Sequence, residues 1–198
     1  MKKPVRPSLI AGPLLFLVGL IGLGVGFFVF RPPQTVVETA SLVGGPFQLV
    51  NQDGAPFTDQ DLKGKPFMVF FGFTHCPDVC PTKLFEISQV LNAVEKDEPD
   101  IAAVFISVDP ERDTPDVMKR YLSSFNPRII GLTGDQGKVD SVVKAYRAYA
   151  KKVPTGDGSY TMDHTAIVYL MDRNGKFLTS IDMNRRDTEI AEEIRNRL

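Results

Sequence analysis

No tryptophan occurs among the 198 residues, and cysteine and histidine occur only twice each. Two cysteines are too few for a disulfide-stapled secreted scaffold, whose pairs are more numerous and more widely spaced. Cys76 and Cys80 stand in "FTHCPDVCPT" with three residues between them. A pair this close closes a very small loop and adds little to fold stability, so a chemical role is the better reading. The two histidines, His75 and His164, limit the nitrogen donors open to any metal. Charge of either sign is missing from residues 9–30, and acidic residues are missing from residues 1–31. Positive excess is missing as well: beyond residue 31 the chain holds 19 basic against 24 acidic residues, a formal net charge of −5. That balance argues against nucleic acid or an anionic membrane surface as partner.

The uncharged stretch "LIAGPLLFLVGLIGLGVGFFVF" is 22 residues long. At about 1.5 Å of helical rise per residue, it spans a bilayer core of roughly 30 Å. A signal peptide has a shorter apolar core followed by a small-residue cleavage site, so residues 9–30 read as an uncleaved transmembrane helix. Lys2, Lys3 and Arg6 precede it. The positive-inside rule then places residues 1–8 in the cytoplasm and everything beyond Arg31 on the far side. Residues 31–44, with Pro32 and Pro33, read as a linker, and residues 45–198 as one domain.

Within that domain Asp53-Gly54 separates two short apolar stretches, which predicts a hairpin. "KPFMVFFGF" (65–73) and "IAAVFISV" (101–108) are continuous apolar runs, as expected of strands buried on both faces. Between them a helix is predicted over 82–96, with Leu84, Ile87, Leu91 and Val94 on one face. Thr114 should cap a helix starting at Pro115, with Val117, Tyr121, Leu122 and Phe125 inward. A short strand over 129–133 and a helix carrying Val139, Val142, Val143 and Tyr146 follow. Two antiparallel strands then turn at Asp172 to Gly175, the first beginning near Thr165. A helix from about Thr188 closes the chain. This order predicts an α/β sandwich with a mixed sheet. The reactive crevice of such sheets lies at the carboxyl ends of the strands, where Cys76 and Cys80 fall.

A helix N-terminus close to Cys80 offers unpaired N–H groups and partial positive charge, which favours thiolate over thiol. A thiolate serves both disulfide exchange and soft-metal binding. Four residues make about one helical turn, so the two sulfurs can converge on one ion or close a disulfide. His75 adjoins Cys76 and is expected to diverge from the sulfurs. His164, in "YTMDHTAIVYL", is an isolated histidine that would ordinarily be solvated. In a thioredoxin-like sheet, however, the loop before its strand faces the cysteine motif, which makes His164 a candidate third ligand. Two thiolates and an imidazole favour copper; zinc with these three and a water stays open. Asp78 reads either as a turn former after Pro77 or as a carboxylate that tunes or docks. "DPERDTP" (109–115) reads as turn and cap chemistry first and as a docking loop second.

"FGFTHCPDVCPT", "ISVDPERDTP" and "DHTAIVYLMDRNGKF", in this order behind one N-terminal anchor, resemble the SCO/SenC family over roughly residues 44–198. The resemblance implies a thioredoxin-like fold with an added N-terminal hairpin. It also implies one copper ion, as Cu(I) or Cu(II), held by Cys76, Cys80 and His164. The implied work is assembly of the copper A centre of cytochrome c oxidase subunit II, by a copper chaperone in the bacterial inner membrane with its domain in the periplasm. Other copper chaperones or thiol reductants would be partners. The alternative is a thiol-disulfide reductase that keeps the copper A cysteines reduced. A redox or copper sensor would leave the same residues in place. A peroxidase fits poorly. Peroxiredoxins carry a threonine three residues before the reactive cysteine, where this chain has Phe73 or Pro77. The tryptophan of glutathione peroxidases is absent.

Overall fold

This computed structural model describes residues 43–98, 100–156 and 158–198. The expected cytoplasmic N-terminus, the membrane span over 9–30 and nearly all of the linker lie outside these residues. Among the described residues, no helix is long and apolar enough to cross a membrane.

Gln48–Asn51 (β1) and Pro56–Thr58 (β2) pair antiparallel around the expected Asp53-Gly54 turn. Gly54 has φ +79°, a left-handed conformation that glycine adopts without steric cost. Phe67–Gly72 (β3) is buried at every position, and Ala102–Ser107 (β4) at all but its first. Between them runs Val79–Val94 (α1), and Pro115–Leu122 (α2) follows β4. Next come Ile129–Thr133 (β5) and Gln136–Ala145 (α3). Ala150–Pro154 (β6) and Tyr160–His164 (β7) form a separate two-stranded ribbon. Val168–Met171 (β8), Phe177–Ile181 (β9) and Asp187–Arg197 (α4) complete the chain.

The main sheet among the described residues runs β2-β1-β5-β4-β3-β8-β9. Its centre, β5-β4-β3, is parallel, while β1 and β8 join antiparallel on either side. Burial on both faces explains the unbroken apolar runs of β3 and β4. Successive side chains of β3 supply two layers. Phe70 stacks on Phe105, which meets Tyr121, and Tyr121 in turn meets Phe125. Phe71 points the other way and meets Tyr146 and Tyr169 edge-on. The mixed sheet with flanking helices is the α/β architecture expected from the element order.

Three features differ from expectation. Helix α1 begins at Val79 rather than residue 82, so Pro81 sits inside its first turn. The first-turn N–H groups have no intrahelical acceptor, so proline is tolerated there and is a poor marker of the first helical residue. In α2, Met118 and Leu122 are the buried residues, while Val117 is only half-buried. The ribbon β6-β7 was not expected at all, and it makes His164 the last residue of β7 rather than a loop residue before β8. Its strands read AKKVP and YTMDH, with no regular apolar alternation and no buried residue, so the pattern that betrays a strand is missing.

Candidate metal centre

The carboxyl end of β3 delivers the chain into the cysteine loop. Gly72, its last residue, lies beneath Cys80. A Cβ added there would stand 2.8 Å from Cys80 Sγ and 2.7 Å from Phe105 Cε2, too close for real atoms. Gly72→Ala should therefore lift the sulfur, misalign the donor set and cost roughly 1–3 kcal/mol in overpacking. Chemical denaturation and a metal titration of that variant would show both effects, and an unaltered titration would rule out this role for the glycine.

The loop itself is moored by a buried carboxylate. Asp113, fully buried, accepts from Thr74 N (3.0 Å) and Thr74 Oγ1 (2.6 Å). It also accepts from Ser107 Oγ (2.6 Å), while Thr133 Oγ1 donates to its carbonyl (2.6 Å). The Asp113 side chain thus ties the residue two before Cys76 to β4, and its carbonyl adds a tie to β5. The "DPERDTP" segment is turn and cap chemistry as expected, with Thr114 Oγ1 accepting from Val117 N at 3.4 Å. Asp113 was not singled out in the sequence; its place two residues before a helix-starting proline gave no sign of burial.

Cys80 lies in the first turn of α1 and is completely buried; Cys76 is half-buried in the preceding loop. Both thiols are free. Cys76 Sγ accepts from Cys80 N at 3.3 Å, so a sulfur satisfies one of the open N–H groups of the helix start. Asp78 occupies the N-cap position with no side-chain cap bond and is exposed. His164 reaches the pair from β7, with Nε2 3.5 Å from Cys80 Sγ. Its ring meets Phe73 edge-on at 5.7 Å and Phe70 at 6.4 Å. His164 Nδ1 lies 3.1 Å from the Thr165 carbonyl. A carbonyl only accepts, so Nδ1 carries the proton and the Nε2 lone pair faces the sulfurs.

The ligand atoms of Cys76, Cys80 and His164 all lie within 4.8 Å of one another. His75 diverges as expected: Nδ1 lies 3.2 Å from Thr74 Oγ1 and 3.7 Å from Asp113 Oδ1. One expectation is overturned. The helix N-terminus does not make Cys80 a ready thiolate; burial above all, then the Cys76 hydrogen bond and the charges of Cys76 and Asp113, pushes its thiol up. The Phe73 N–H acts in the opposite direction without prevailing. Desolvation disfavours the charged form more than the helix end favours it. A cation that takes the sulfur must displace this proton.

Two cysteine sulfurs and one oriented imidazole, all on the carboxyl-end side of the sheet, form a soft donor set once the thiols give up their protons to a metal. The family model for SCO1/SenC matches residues 36–198. The chain belongs to the SCO1/SenC family. Bradyrhizobium japonicum ScoI with copper bound is 58% identical and superposes with a TM-score of 0.75, covering 79% of this chain and 99% of that one. The mitochondrial SCO1 homologue of Homo sapiens is 44% identical over 156 residues, 77% of this chain. This chain spans about half of that relative's length, 52%. The SCO2-like protein of Rickettsia felis is 36% identical over 184 residues, 87% of this chain and 90% of the relative. The mixed sheet with its flanking helices is accordingly the thioredoxin-like Sco fold.

Proposed function

We propose that this SCO1/SenC chain is a membrane-anchored copper chaperone that holds one copper ion on Cys76, Cys80 and His164. The observation that carries the reading is the convergence of two sulfurs and an imidazole nitrogen within 4.8 Å. The donors suit copper: thiolate is soft, imidazole borderline, and three ligands satisfy Cu(I) without a fourth. Copper bound to a relative 58% identical supports the same cargo here. The recipient implied by the family resemblance is the copper A centre of cytochrome c oxidase subunit II. The uncharged stretch 9–30, behind Lys2, Lys3 and Arg6, supports an inner-membrane anchor with the domain in the periplasm.

Titration of the reduced full-length chain with Cu(I) and Cu(II) tests the copper site. One ion per chain is expected, with an intense sulfur-to-copper charge-transfer band in the Cu(II) form. Colourless Cu(II) binding, or Cu(I) binding that a weak chelator removes, would defeat the reading.

Thiol-disulfide exchange is the second reading. It is favoured by the asymmetry of the pair: Cys76 is half-buried and open to attack, while Cys80 is enclosed and placed to resolve a mixed disulfide. The partners would then be subunit II cysteines and a thiol reductant.

A further inference from the structure

The ribbon that carries His164 has no core of its own. None of the residues of β6 or β7 is buried, and a two-stranded hairpin is marginal in water by itself. What places His164 against the cysteines must therefore be the contacts that hold the ribbon to the body of the domain.

Ala150 and Met162 supply an apolar part of that hold by packing against the core, and the polar part converges on Arg112. Its guanidinium carbon lies 3.8 Å from the centre of the Tyr160 ring and 5.8 Å from that of Phe73. Arg112 Nη1 donates to the Tyr160 carbonyl at 3.1 Å. Arg112 Nε donates to Asp109 Oδ2, and Tyr160 Oη donates to the other oxygen of that buried carboxylate at 2.9 Å. Lys152 closes the arrangement from β6, 4.1 Å from the Tyr160 ring centre and bonded to Glu111 at 2.6 Å. Tyr160 and His164 share one face of β7, four residues apart. Phe73, three residues before Cys76, touches both Arg112 and His164. A planar cation suits this place because it can stack on rings and donate in its own plane at once. Arg112 Nη2 is buried with no acceptor among the described residues.

We infer that Arg112, clamped between Tyr160 and Phe73, is a positioning residue that holds the His164-bearing ribbon over the cysteine pair. It touches no ligand atom and acts through the placement of His164. The inference rests on the copper reading only for its effect on metal affinity.

The full-length chain tests it in two ways. With only two histidines, labelling histidine alone yields two ring signals, and His75 serves as the internal reference. In the metal-free parent the His164 signal should be displaced by the edge-on Phe73 and Phe70 rings. In Arg112→Met it should move to the position of an unpacked histidine while His75 stays. A folded Arg112→Met chain with an unmoved His164 signal would overturn the inference. For copper, Arg112→Met should weaken Cu(I) binding about 10–100-fold. In a His164→Ala background the same substitution should add nothing, because the effect passes through His164. Additive losses would mean a merely structural role and would overturn it too. Should Arg112→Met not fold, Tyr160→Leu breaks the same clamp and leaves the Arg112–Asp109 pair; the same signal change is expected. A parent that binds no copper but shows the His164 displacement on Arg112→Met would defeat the copper reading and support the clamp.

Discussion

His164→Ala is expected to leave the fold and the ability of Cys76 and Cys80 to form a disulfide intact, yet to abolish Cu(II) binding. The imidazole lies half-buried at the end of β7 and meets the core only at its edge, against Phe73 and Phe70. Both sulfurs remain, so the disulfide can still close. Copper loses its nitrogen donor, however, and two thiolates alone present Cu(I) with a different geometry. The loss of Cu(I) affinity should exceed the roughly 10–100-fold that follows removal of an outer-shell partner. In cells grown in copper-poor medium, His164→Ala should impair oxidase assembly as severely as Cys76→Ser or Cys80→Ser. Normal oxidase with His164→Ala, while the cysteine variants fail, would reverse the order of the two readings. A dithiol reductase needs the sulfurs but no imidazole, so thiol reduction would then be the essential task.

Asp113→Ala should be the most damaging single change to stability away from the ligands. It removes the acceptor shared by Thr74 N, Thr74 Oγ1 and Ser107 Oγ in a fully buried place. Donors stranded without water cost about 1–3 kcal/mol each, partly relieved by rotation of the hydroxyls. A net loss on the order of 4 kcal/mol follows, among the large values for a point substitution. For a domain of this size that corresponds to a fall in Tm of about 10 °C. Calorimetry measures it directly. Because Thr74 would also be freed, Cys76 should become more reactive toward an alkylating agent than in the parent. A Tm within about 2 °C of the parent would mean that Asp113 is not the mooring of the cysteine loop.

Much of this was legible in the chain itself. The runs 65–73 and 101–108 announced the central strands because strands covered on both faces have no polar side to show. Asp53-Gly54 and Asp172 to Gly175 announced their turns through residues that turns require. The cysteine spacing and the isolated His164 named the three side chains that the fold brings together. Helix α1 starts at Val79, three residues before the expected residue 82, because a first-turn position accepts proline and Pro81 therefore marks no boundary. The ribbon β6-β7 escaped because AKKVP and YTMDH carry no regular apolar alternation and bury no residue. Arg112 and Tyr160 were invisible for a related reason: stacking between residues 48 apart leaves no local pattern.

The sequence by itself determined which donors exist, which runs become central strands and helices, and that the first 31 residues are chemically unlike the rest. These properties are local, set by side-chain type and spacing along the chain. Folding alone brings His164 to Cys80 across 84 residues, turns one of its nitrogens toward the sulfurs, and buries Cys80 so that its thiol is pushed up. Convergence and desolvation are properties of packing: they depend on what distant segments remove from water and bring within a few ångströms.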